Sequence, residues 1–92
     1  HIGIWGQQHR RYLKSHRKVL YTSLLTSGKL NSYLADINQQ AEGMFSRLAN
    51  QMAEAEGVNE ELKSTDQMVW VQRMNNIRNR VSEIISEELI YR

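Results

Sequence analysis

Leu30, Leu34, Ile37, Ala41, Met44, Leu48, Met52 and Ala55 advance along the chain in steps of four and three. That is the repeat of one face of an α-helix, sustained for nearly four heptads as in a coiled coil. The 92-residue chain has no proline to interrupt it. A helix this long with a single apolar seam needs a second apolar surface to cover it. The chain supplies one. Gly57 is suited to the left-handed stop of the first helix. Asn59 then reads as an N-cap, with Glu60 and Glu61 well placed for the helix dipole. A second seam follows: Leu62, Val69, Trp70, Met74, Ile77, Val81, Ile84, Ile85 and Leu89. The segment from Asp66 to Glu88 is expected to be helical, and the cap formers Ser64, Thr65 and Asp66 allow a break before it. Only Gly57, Val58 and Asn59 separate the two helices, so they are expected to lie antiparallel. That register sets Leu48 near Trp70 and Ile37 near Val81, with Ala41 and Ala55 letting the neighbour approach. Leu34, Leu48, Met74, Ile77 and Val81 are the expected core.

The N-terminal third reads as shorter pieces. Residues 1 to 4 suggest an irregular lead-in. Trp5, His9, Tyr12, Leu13 and His16 predict a helix from about residue 5 to 15. Leu20, Leu24 and Leu25 predict another from about 17 to 27, with Ser15 as the N-cap between the two and Gly28 as the stop, the alternative being one kinked helix. The expected fold is all-α and a single domain, residues 1–92. It is a long antiparallel helical hairpin, from about 29 to 91, packed with one or two short N-terminal helices into a three- to four-helix bundle.

Charge is distributed unevenly along this frame. Arg10, Arg11, Lys14, Arg17, Lys18 and Lys29 are the charged residues of the first 35 positions, which contain no acid. Residues 36 to 69 hold seven acids against Arg47 and Lys63. Arg10 with Lys14, and Lys14 with Lys18, are like-charge pairs one turn apart, and cations at the start of a second helix oppose its dipole. An anionic partner would account for the pattern, with nucleic-acid phosphates the obvious one. The competing reading is that the acids of residues 54 to 66 neutralise the stretch, within the chain or across a dimer. Arg73, Asn76 and Arg80 could share a face, and Asn and Arg are side chains that read bases. In the expected register, however, they stand opposite Asp36 and Glu42 and would form flanking pairs.

Several chemistries find no support. There is no cysteine, hence no disulfide or thiolate site. His9 and His16 share a face without a local acid, and zinc wants three or four ligands, so no metal is expected. Gly28-Lys29 followed by Leu30 fails as a phosphate loop. No catalytic constellation, cofactor motif or small-molecule site is visible. Trp5, Tyr12, Phe45 and Trp70 fit a core better than a stacking platform. No run of 18 apolar residues could span a membrane. The opening His1-Ile2-Gly3-Ile4-Trp5 is unlike a signal peptide, and a start without Met leads one to expect a fragment or a processed product.

Four strings carry a resemblance: IGIWG (2–6), YLKSHRKVLYTSLLTSGKLNSYLADI (12–37), QMAEAEGVNEELKSTDQMVWVQRMNNIRNR (51–80) and SEELIY (86–91). Nearly the whole chain resembles the TnpV family of small proteins encoded in bacterial transposons and integrative elements. The resemblance implies a mobile-element context and a further stretch before IGIWG. It brings no catalytic or ligand residue with it. The combined expectation is a cytoplasmic, non-enzymatic accessory protein without cofactor or metal. It would bind DNA, or a mobile-element protein, through Arg10, Arg11, Lys14, Arg17 and Lys18, and form a homodimer. The alternative is a helical protein–protein interaction module that dimerises and has no nucleic acid role.

Overall fold

The computed structural model describes residues 2–92; the residue-1 part of the expected lead-in lies outside them. Five α-helices follow one another: α1 (Gly3–His16), α2 (Lys18–Thr26), α3 (Leu30–Ala55), α4 (Glu60–Thr65) and α5 (Gln67–Ile85). A π-helical turn, Ser86–Ile90, continues α5. No strand occurs among the described residues. The all-α expectation is met, and the molecule is elongated, 55 × 21 × 18 Å. Among the described residues no helix is long and apolar enough to cross a membrane.

Both predicted glycine stops are real. Gly28 has φ +74° and Gly57 φ +70°. At each, the two residues after the helix donate back to its last turn. Lys29 N–H reaches Leu24 O (3.0 Å) and Gly28 N–H reaches Leu25 O (3.2 Å). Val58 N–H reaches Ala53 O (2.8 Å) and Gly57 N–H reaches Glu54 O (3.3 Å). This is the Schellman arrangement, and it satisfies carbonyls that the helix leaves open. Val58 drives its side chain into the core, 5% exposed.

The Asn59 cap is also present, its Oδ1 accepting from Leu62 N–H at 2.9 Å. The expected break falls at Asp66, whose Oδ1 accepts from Val69 N–H at 3.2 Å and restarts the chain as α5. Consequently α4 is a separate leg. It contacts α5 and no other helix, with Lys63 Nζ 4.7 Å above the Trp70 ring. This changes the hairpin's register. Arg80 does not stand opposite Asp36 or Glu42; its Nη2 lies 2.8 Å from both carboxylate oxygens of Glu56, just beyond α3. Leu89 lines one surface depression with Met44 and Arg47. The expected register took the connection to be three residues. Between Ala55 and Gln67 the chain uses eleven, α4 among them, and α5 returns correspondingly later.

The core has two parts. One gathers Ala41, Ala49, Val58, Ile77, Val81, Ile85 and Ile90. The other gathers Leu13, Leu30 and Leu34, edged by Ile2, Leu20, Tyr21, Leu24 and Tyr33. Leu34, Ile77 and Val81 are fully buried as expected, and Leu48 and Met74 are half-buried. Ala49, not Ala55, is the second small residue inside; Ala55 is exposed.

α1 begins earlier than periodicity suggests, because Gly3 and Gly6 let it settle on α3. Gly3 has φ +72°. A Cβ at Gly6 would lie 3.0 Å from the Leu34 carbonyl oxygen and would strike Ile2. Ser15 caps nothing and lies inside α1; the residue before α2 is Arg17, which makes no side-chain cap. Two buried polar side chains then lock the bundle. Asn38 Oδ1 accepts from Gly6 N–H (3.1 Å). His9 holds the Ile90 carbonyl through Nδ1 (2.6 Å) and the Tyr33 hydroxyl through Nε2 (3.0 Å).

Candidate nucleic-acid interface

The kink at Arg17 between α1 and α2 organises the basic side chains. Gly6, His9 and Leu13 of α1 point into the bundle. The helical repeat therefore turns Arg11 and Lys14 outward, and both are exposed, as are Arg17 and Lys18. Arg10 stands on the flank, half-buried. Arg11 and Lys14, three residues apart, face outward on α1, and Lys18 is exposed just beyond the break at Arg17. Of the pairs expected one turn apart, Arg10 with Lys14 thus joins a half-buried residue to an exposed one, and Lys14 with Lys18 spans the break.

What these cations touch bears on the two rival readings. Among the described residues the one ion pair is Arg80 with Glu56. None of Arg10, Arg11, Lys14, Arg17 or Lys18 has an acidic partner. Lys14 Nζ stands 5.9 Å from the centre of the Tyr21 ring. Arg17 Nη1 donates to the Arg92 carbonyl at 2.9 Å. The acids of residues 54 to 66 belong to the far end of α3 and to α4, so within one chain they do not neutralise the basic stretch. Part of the pattern does have a local reason. Lys14 and His16 occupy the last turn of α1, where a cation is favoured. Lys18 opens α2, which has neither an acid in its first turn nor a cap, and there a cation is disfavoured. His16, Arg17, Lys18, Val19, Leu20 and Ser23 line a shallow depression at this kink.

The remaining candidates resolve simply. His9 is 2% exposed and engaged at both nitrogens, while His16 is exposed. No group of His, Asp and Glu among the described residues could hold a metal ion. Trp5 meets Phe45 with ring centres 6.3 Å apart. Tyr12 stacks on His16 at 5.0 Å and meets Tyr91 at 5.6 Å. Trp70 is half-buried against the core. None of the four is a free stacking platform.

The comparison of sequences bears on context. A family model described as transposon-encoded protein TnpV matches residues 1–90. The chain belongs to the TnpV family. Among curated proteins and among solved structures, nothing matches it. In this TnpV-family chain the basic α1–α2 kink is a feature that fold stability explains only in part. Sequence reasoning found that feature from charge alone. It did not find the polar locks at His9 and Asn38, for which the one available signal was a polar residue on an otherwise apolar face.

Proposed function

We propose that this TnpV-family chain is a non-enzymatic accessory protein of a mobile element that binds duplex DNA through Arg10, Arg11, Lys14, Arg17 and Lys18. The observation that carries the reading is that these cations have no acidic partner among the described residues. Four of them are exposed around one kink. Like charges gathered without counter-charge cost folding free energy, and duplex phosphates would offset that cost. Contacts of this kind hold the backbone and carry no sequence information. The reading puts the protein's work in the cytoplasm, where a bacterial element's DNA lies. A gel shift tests it, with an element-end duplex and an unrelated duplex at low and moderate salt. Both should shift, and both shifts should weaken steeply as salt rises. Absence of any shift at low salt would remove the proposal.

A second reading rests on a different observation. The two ends of the molecule differ in charge, and each exposes apolar side chains. Val19 (86%) and Leu25 (54%) lie in α2 near the cations; Met68 (74%) and Val71 (42%) lie in α5 near Glu60, Glu61 and Asp66. Two copies side by side and antiparallel would join each basic end to an acidic one, twice over, and close as a two-fold dimer. Light scattering at moderate salt and high concentration separates the cases: a monomer mass rules this arrangement out.

A further inference from the structure

The outer face of α5 is unexplained by anything so far. Gln72, Asn75, Asn76 and Asn79 recur three and four residues apart on the side opposite Ile77, Val81 and Ile85, and all four are exposed. Their side chains have no hydrogen-bond partner among the described residues. By the helical repeat, Arg73 and Arg78 fall on either side of this row. Both are exposed, and neither is ion-paired. From Gln67 to Ser82 there is no acid.

Helix formation gives no reason for the row. Asn is among the poorer helix formers, and Glu or Lys would keep the surface soluble at less cost. For Asn76, with Arg73 and Arg80, the register expected from sequence supplied a bland reason, pairing with Asp36 and Glu42. The structure withdraws it, since Arg80 goes to Glu56 and Glu42 accepts from Asn38 Nδ2 at 3.0 Å. A carboxamide offers a donor and an acceptor side by side, which matches the N6 and N7 edge of adenine. A guanidinium offers paired donors, which match O6 and N7 of guanine. Both edges lie in the major groove, which is wide enough for one α-helix.

The topology leaves room for such an approach. Arg80 sits at the C-terminal end of α3, and α5 runs antiparallel to α3. The residues before Arg80 are therefore carried toward that end, where α4 packs beside α5. The acids Glu60, Glu61 and Asp66 gather at the starts of α4 and α5. They would hold the first turn of α5 away from phosphates and favour entry by the middle of the helix.

We infer that α5 is a base-reading helix: Gln72, Asn75, Asn76 and Asn79, flanked by Arg73 and Arg78, contact base edges in the major groove of duplex DNA. This rests on the DNA-binding reading above and adds sequence preference to it. The test starts with selection from a random-sequence duplex pool. Affinities for a selected duplex and for its scrambled counterpart are then measured with wild type and with the double variant Asn75→Ala, Asn76→Ala. Both sites are exposed and Ala is the better helix former, so the variant keeps its fold, which circular dichroism checks. The expected result is a shared pattern of base pairs in the selected pool. The variant should lose at least about tenfold on the selected duplex, with unchanged affinity for the scrambled one and an unchanged salt slope. Two results would overturn the inference while leaving the DNA reading intact: wild type binding every duplex alike, or the variant keeping the wild-type preference. Wild type binding no duplex at all would remove both.

Discussion

Asn38 does at a distance what no residue of α1 does locally. α1 starts after Ile2, which has no side-chain acceptor, so the N–H groups of its first turn have no cap. Asn38, 4% exposed on α3, accepts instead from the next residue along, the Gly6 N–H, and its side-chain amide donates to Glu42. A buried amide is costly when unpaired and specific when paired. Asn38→Leu should therefore destabilise the fold by about 1–3 kcal/mol in chemical denaturation. Asn38→Asp keeps the acceptor toward Gly6 but sets a buried carboxylate against Glu42, and should destabilise as well. A loss below about half a kcal/mol for Asn38→Leu would mean that the Gly6 bond contributes nothing. Ile77 tests packing instead: it is 0% exposed between the two long helices. Ile77→Ala should cost about 2–4 kcal/mol, and a loss below about half a kcal/mol would contradict its place in the core. At Gly57 a side chain would be strained by φ +70° whatever space is free. Gly57→Val should cost about 1 kcal/mol or more, read as a lower melting temperature.

Among the elements, α2 and α4 are the weak ones. α2 has nine residues, no buried side chain and no cap at its start, and α4 has six residues and none buried; helices this short are marginal without packing. In native-state hydrogen exchange the amides of these two should be the least protected of the helical segments, and those of α3 and α5 the most. Protection of α2 equal to that of α3 would show a cover that one chain does not supply. The same contrast explains how much of the fold was legible in the sequence. The seam of α3 and the glycine stops are local signals, periodicity and positive φ, and they held. Asn59 and Asp66 announced themselves as cap formers. The register did not, because a six-residue α4 turning away at Asp66 looks in sequence like the first turns of α5. The start of α1 was hidden for a similar reason. Gly3 and Gly6 read as breakers until Asn38 and the Leu34 carbonyl are beside them. Of the candidate site, the cations were plain from charge. Their lack of counter-charge, and the separate engagement of Arg17 by the Arg92 carbonyl, depend on which helix ends meet.

At the scale of the whole molecule, a charge asymmetry in sequence becomes an asymmetry along a 55 Å body. The basic kink between α1 and α2 and the acidic end at α4 are joined by α3, about 39 Å long at the usual rise per residue. At physiological ionic strength, charges that far apart are screened from each other, so each end meets its surroundings as an independent patch. Phosphate binding at the basic patch should therefore depend on Arg11, Lys14 and Lys18 and be separable from folding. Arg17 is less suitable for that test, because it also holds the Arg92 carbonyl. The most direct measurement is the affinity of a labelled random-sequence duplex against salt concentration, for wild type and for Arg11→Gln, Lys14→Gln, Lys18→Gln. The account predicts steep salt dependence for wild type and, for the variant, weaker binding to every sequence. Its log–log slope should be flatter by roughly one unit per lost contact, and its melting temperature equal or slightly higher. A variant that unfolds or changes mass, in a protein that never bound DNA, would contradict it and make these cations part of an interface with another protein chain.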